Sequence, residues 1–224
     1  MEYSTFQSIE ERILVLEKLI KKYDSDDEYK SYLVSPLLKE LDSLINKSLE
    51  DKEAYSLENM THHYEDYLLI ASSYKRMGRM SLAALFHEKA LDIALNIYQE
   101  YQEVMNDLEE LFYNILKERN FYLDDQCTDV LKKVQGARII EEEKITKLYQ
   151  DVMKHPRNLK HDPIEMSEEY LRVIDEVEEK IDKSITIYGL GACHEIWMLK
   201  ARYLREKGID WKDPHILNPR VMFD

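Results

Sequence analysis

The sequence predicts an all-α fold: antiparallel helix pairs followed by an irregular C-terminal strap. Three observations carry this. Apolar residues recur at three- and four-residue spacing along most of the chain, the period of helices buried on one face. Only five glycines and five prolines occur in 224 residues, too few for a loop-rich or sandwich architecture. The one strand-like run, residues 184–188 (SITIY), reads better as a helix end. A single helical domain over residues 1–224 is expected, in four stretches. These are N-terminal helices over 6–60, a hairpin and its extension over 61–118, further helices over 119–183, and a C-terminal helix with strap over 184–224.

Taken in order, Phe6, Ile9, Ile13, Leu16 and Ile20 form the stripe of a first helix over residues 6–23, and the run Asp24 to Asp27 breaks it. Ser35-Pro36 reads as the start of a second helix, because the hydroxyl caps and a first-position proline loses no bond. Leu37, Leu41, Leu44 and Ile45 carry it to Leu49. A third helix spans 61–75 and ends at the turn glycine Gly78. The apolar pattern then runs from Met80 to Lys117, too long for one ordinary helix, so a break is expected near 99–106. A short helix over 124–133 precedes Gly136, which separates it from a helix over 139–152. Asp162-Pro163-Ile164-Glu165 offers a cap, a first-position proline and a glutamate three after the cap, opening the helix of Tyr170, Ile174, Val177 and Ile181. A last helix runs over 192–207, and the aperiodic ending from Gly208 forms the strap, anchored by Trp211, Pro214 and Pro219.

Charge and cysteine usage narrow the function. A net charge of −14 with no offsetting Lys/Arg stripe repels phosphate backbones and anionic membranes, so neither nucleic acid nor membrane is an expected partner. Basic partners suit it better. Cys127 and Cys193 form no CxxC and no disulfide framework. The N-terminal residues lack a basic region followed by an apolar one, and no run of 18 apolar residues exists, which makes the cytoplasm the expected compartment. The triplet Asn59-Met60-Thr61 fits a glycosylation sequon but reads as chance or as a helix start. Sixteen tyrosines, apolar rings with polar tips, suit helix interfaces and groove linings.

The segment Tyr67–Leu95 has large residues early in a first helix (Tyr67, Ile70), then Ala71 and Tyr74, a turn at Gly78, Ala83 at the helix crossing, and Ala90 later. Small residues at such positions let two helices approach closely. Over residues 64–97 this pattern resembles the tetratricopeptide repeat family. His87 stands where the family has an aromatic, and Leu95 where it has a closing proline. The resemblance implies a helix-lined groove that binds peptides or protein surfaces, with no catalysis and no cofactor. One repeat cannot bury its own apolar faces, and no second good copy adjoins it. Two architectures stay open: a right-handed stack of diverged repeats, or one helical hairpin within an ordinary helical domain.

Candidate residues fall in three groups. Tyr67, Tyr74, His87 and Tyr98 are expected to form the partner-binding face of a non-catalytic scaffold that takes a protein or a short apolar or basic peptide. The alternative is a small enzyme or ligand or anion sensor at the helix start YGLGACH. There exposed helix N–H groups would hold an anion and lower the Cys193 thiol pKa, with His194 beside it and Arg202 and Arg205 flanking the pocket. The plainer reading makes Cys193 a buried thiol and pairs the basic helix with the acidic face 175–179. No catalytic residue is assigned. His62-His63, with Glu65 and Asp66 nearby, lacks a third ligand at metal-binding spacing, so no metal site is expected and the histidines read as solvated or capping. The long apolar stripes suit a homodimer or other self-association equally well.

Overall fold

A computed structural model of the chain describes residues 5–24, 30–50, 56–120, 127–154, 159–186, 189 and 191–223. Its elements are α1 (Thr5–Asp24), α2 (Ser31–Glu50), α3 (Leu57–Arg76), α4 (Met80–Ile97), α5 (Gln102–Asn120), α6 (Cys127–Ala137), α7 (Glu142–Lys154), a one-turn 3₁₀ helix (Pro163–Met166), α8 (Glu168–Ser184), α9 (Ala192–Glu206) and the single turn α10 (Pro214–Leu217). No strand occurs among the described residues, so the all-α expectation holds, and neighbouring helices pack antiparallel. Among the described residues no helix is long and apolar enough to cross a membrane.

The α3–α4 hairpin is the most extensive helix contact. Ala71, Ala83 and Ala90 are fully buried, and their small side chains let Tyr74 stack on Phe86 with ring centroids 5.5 Å apart. Gly78 adopts φ 73°, the left-handed turn that the sequence assigned to it. Helix α1 packs on α2, α4 continues onto α5, and α5 carries α6 and α7. These seven helices share one apolar core, with Leu16, Ile20, Leu38, Leu41, Ile70 and Phe112 at its centre. A second, smaller core joins Tyr170, Ile174, Val177, Leu199, Leu204 and Trp211 from α8, α9 and the strap.

Several boundaries differ from the sequence reading. Helix α2 starts at Ser31, so Pro36 lies inside it. The ring faces solvent, while burial of Val34, Leu38, Leu41 and Ile45 holds the turn that proline weakens. Ser35 is consequently no cap: its hydroxyl is buried, accepts from Arg79 Nη1 at 2.9 Å and donates to Asp175 Oδ2 at 3.1 Å. The third helix opens a turn early, on Ser56, whose side chain accepts from the Asn59 amide. The long apolar stretch breaks at residues 98–101, where the Glu100 and Tyr101 amides both return to the Ile97 carbonyl. Gly136 falls inside the last turn of α6, and Arg138, at φ 54°, ends that segment instead. Asp162 caps only the 3₁₀ turn, and α8 receives its own cap from Ser167. Helix α8 ends at Ser184, and residues 187–188 of the strand-like run lie outside the described residues.

Charge joins the two cores. Arg79 at the start of α4 sends Nη2 to Asp175 and to Glu178 of α8, each at 2.8 Å. Lys39 adds a contact of 2.6 Å to Asp175, and Lys30 one of 2.8 Å to Asp182. Burial disfavours the Arg79 charge, but Glu178 and Asp175 outweigh it and hold its pKa above the usual value. Burial likewise raises the Asp175 carboxyl, and Arg79 and Lys39 outweigh that, leaving it below the ordinary carboxylate range.

Candidate functional site

The residues expected at a partner face are mostly interior. Tyr67 and Tyr74 are each 2% exposed, so they pack the α3–α4 interface and present nothing to a partner. The reason is their spacing: seven apart on α3, they lie on one stripe, and that stripe faces Phe86 of α4. The Tyr67 hydroxyl donates to Asn46 Oδ1 at 3.2 Å. Burial pushes the Tyr74 phenol up to about 12. His87 is buried too, its Nδ1 2.6 Å from Glu118 Oε2, which makes it a satisfied core histidine. Tyr98 is half-buried against the same core. The structure therefore brings Tyr67 and Tyr74 together on Phe86 as packing, while His87 is buried separately against Glu118.

Of the YGLGACH segment, Tyr188 and Leu190 lie outside the described residues, and the others sit at the start of α9. Gly191 caps α9 with φ 84° and no side-chain bond. The acceptor at this helix start is Glu195, which takes the Thr186 amide at 3.0 Å and its hydroxyl at 2.7 Å, so a carboxylate already occupies the positive end. Cys193 is half-buried. His194 is exposed and packs edge-on to Trp197, with Nε2 3.3 Å from the Phe223 carbonyl. Arg202 lies more than two turns further along α9, pairs with Glu206 at 3.5 Å, and lies over the Tyr203 ring. Arg205 is exposed. Neither arginine flanks Cys193 or His194. The basic helix does pair with the acidic face, through Lys207 and Glu176 at 2.6 Å.

A different place draws chemistry together. An open cleft of about 700 Å³ lies between α1 and α3, with Tyr101 in its lining. Its apolar wall is Ile13, Leu14 and Leu57; Leu14 is 45% exposed and Leu57 36%. Glu10, Glu58 and Glu65 rim it, and no lysine or arginine is among its described lining residues. His62 and His63 line one wall.

Behind His62 stand two buried carboxylates. Donor atoms of Glu17 on α1 and of His62 and Asp66 on α3 all lie within 4.8 Å of one another. Glu17 Oε2 meets Lys21 at 3.3 Å, while Oε1 lies 3.0 Å from His62 Nε2 as an ion-pair contact without hydrogen-bond geometry. Asp66 is 2% exposed, and its Oδ2 is 3.6 Å from His63 Nδ1, too far for a hydrogen bond. His63 is fixed from its other side by Ser48 Oγ at 2.9 Å. Burial raises the Asp66 carboxyl above its usual range; His63 opposes this and the Glu17 charge adds to it.

Glu17, brought from another helix, joins His62 and Asp66, and His63 is not one of the three. A signal existed. Glu17 follows Ile13 by four and precedes Ile20 by three, so a carboxylate occupies a core-facing stripe position on α1. His62 and Asp66, four apart, share one face of α3. Comparison with protein-family models, curated proteins and solved structures finds no match to this chain.

Proposed function

We propose that the protein is a non-catalytic helical scaffold of the cytoplasm that binds a basic, leucine-type apolar polypeptide segment in the cleft between α1 and α3. The observation that carries this is the cleft itself, with two exposed leucines on its wall and three glutamates on its rim. Apolar side chains of a partner would gain by leaving water against Leu14 and Leu57, and its cations would meet Glu10, Glu58 and Glu65. The net charge of −14 steers such a segment inward. Helices α1 and α3 supply the lining, with Tyr101 from the turn before α5, and a groove between the leading helices of successive pairs is what the tetratricopeptide-like resemblance of residues 64–97 implies.

Fluorescence anisotropy tests the proposal with two labelled helical peptides, one of leucine and lysine, one of leucine and glutamate. The protein binds the cationic peptide, and binding weakens as salt rises. Because both leucines are exposed, Leu14→Asp/Leu57→Asp retains the fold and loses at least tenfold in affinity. Equal binding of both peptides, or a double variant that binds as the parent does, overturns the proposal. Sedimentation of the protein alone reads out a second copy as the occupant: a dimer broken by the same double variant would replace the peptide.

A further inference from the structure

The cluster of Glu17, His62 and Asp66 asks for an explanation that the cleft's peptide-binding role does not supply. Two carboxylates are buried side by side, 8% and 2% exposed as residues. One oxygen of each makes no hydrogen bond. Lys21 reaches only the outer oxygen of Glu17, from a side chain that is 63% exposed, and no arginine or lysine reaches Asp66 among the described contacts. Buried anions of this kind are costly unless paired or bound to a cation.

The geometry points to a divalent transition-metal site of the zinc class, built from Glu17 Oε1, His62 and one Asp66 oxygen. The donors are close to the required spacing. A tetrahedral ion with bonds near 2.1 Å holds its ligands about 3.4 Å apart. Glu17 Oε1 and His62 Nε2 are 3.0 Å apart, and the whole set falls within 4.8 Å, so sub-ångström side-chain shifts close it. An imidazole with two carboxylates selects a first-row transition ion over magnesium or calcium, which prefer oxygen alone. His62 is the ligand exposed to the cleft, its side chain 40% accessible, so ions enter there and a fourth position is left for water or a partner group. His63, held by Ser48, places its Nδ1 3.6 Å from Asp66 Oδ2 beside the cluster. The bound ion takes the place of any proton on His62 and on the carboxylates, and those protons leave to solvent.

The test uses the full chain without a histidine tag, stripped with chelator and titrated with Zn²⁺. One equivalent binds, and at about a hundredfold over Kd the melting temperature rises by roughly 5–10 °C. Co²⁺ in place of Zn²⁺ gives a visible absorption band of a low-coordinate site. His62→Ala, a change at a half-exposed residue, keeps the metal-free melting temperature within a few degrees and abolishes the shift and the band; Glu17→Gln weakens the affinity read from titrating either signal more than tenfold. His215→Ala, on an exposed histidine elsewhere, changes neither. No zinc uptake by the parent, an unchanged shift in His62→Ala, or an equal shift with Mg²⁺ overturns the inference.

Discussion

Arg79 shows how one residue links local chemistry to the assembly. It caps the turn after Gly78, is 7% exposed, and meets partners from α2 and α8. Replacing it by alanine leaves Asp175 and Glu178 facing each other without their shared cation. Arg79→Ala should cost about 3 kcal/mol, the lower end for breaking a buried pair, because Lys39 remains on Asp175. Urea unfolding measures it. The pH dependence follows from the direction of the Asp175 shift. Its folded pKa is depressed, so its stabilisation is complete above the ordinary aspartate value of about 3.9 and vanishes as pH falls through the folded value. Between neutral pH and the acid transition, Asp175→Asn should show a flatter stability profile than the parent, and denaturant midpoints across pH 2–7 test this.

At the scale of elements, periodicity was enough wherever a helix has one apolar face, as in α1 and α8. It failed where a side chain has two uses. Ser35 and Pro36 have the residue types of a helix start, yet the hydroxyl is bound to Arg79 from another helix, a partner no local window contains. Asp162 and Glu165 have the spacing of a capping box, yet Glu165 Oε1 accepts from the Trp211 indole at 2.7 Å and Asp162 Oδ2 from the Lys212 amide. Both carboxylates hold the strap. Gly78 was legible because only its backbone matters. A Cβ there meets nothing within 4 Å, so Gly78→Ala carries the left-handed strain alone, about 1–2 kcal/mol, and should lower the melting temperature by about 2–6 °C.

Across the whole molecule, the large core of α1–α7 and the small core of α8, α9 and the strap meet through a charged seam. Trp211→Ala removes a large buried side chain from the small core together with the indole bond to Glu165 Oε1, and should cost about 3–5 kcal/mol. Hydrogen exchange should then rise across α8 and α9 and stay low in the α3–α4 hairpin. The candidate site was half legible for a related reason. His62 and Asp66 share a helix face that the sequence displays, whereas Glu17 is separated from them by α2 and arrives only through tertiary packing. Tyr67 and Tyr74 are buried between helices, and tyrosine patterning alone does not distinguish such an interface from one open to a partner.

Both tryptophans, Trp197 and Trp211, belong to the small core, while tyrosines occur in both cores. The chain therefore carries two optical reporters. Excitation at the red edge of the absorption band follows the C-terminal unit alone, and far-ultraviolet circular dichroism follows the helices as a whole. Coincident melts mean that the charged seam transmits cooperativity; an earlier tryptophan transition means that it parts first. With its seam made of ion pairs, added salt should pull the two curves apart.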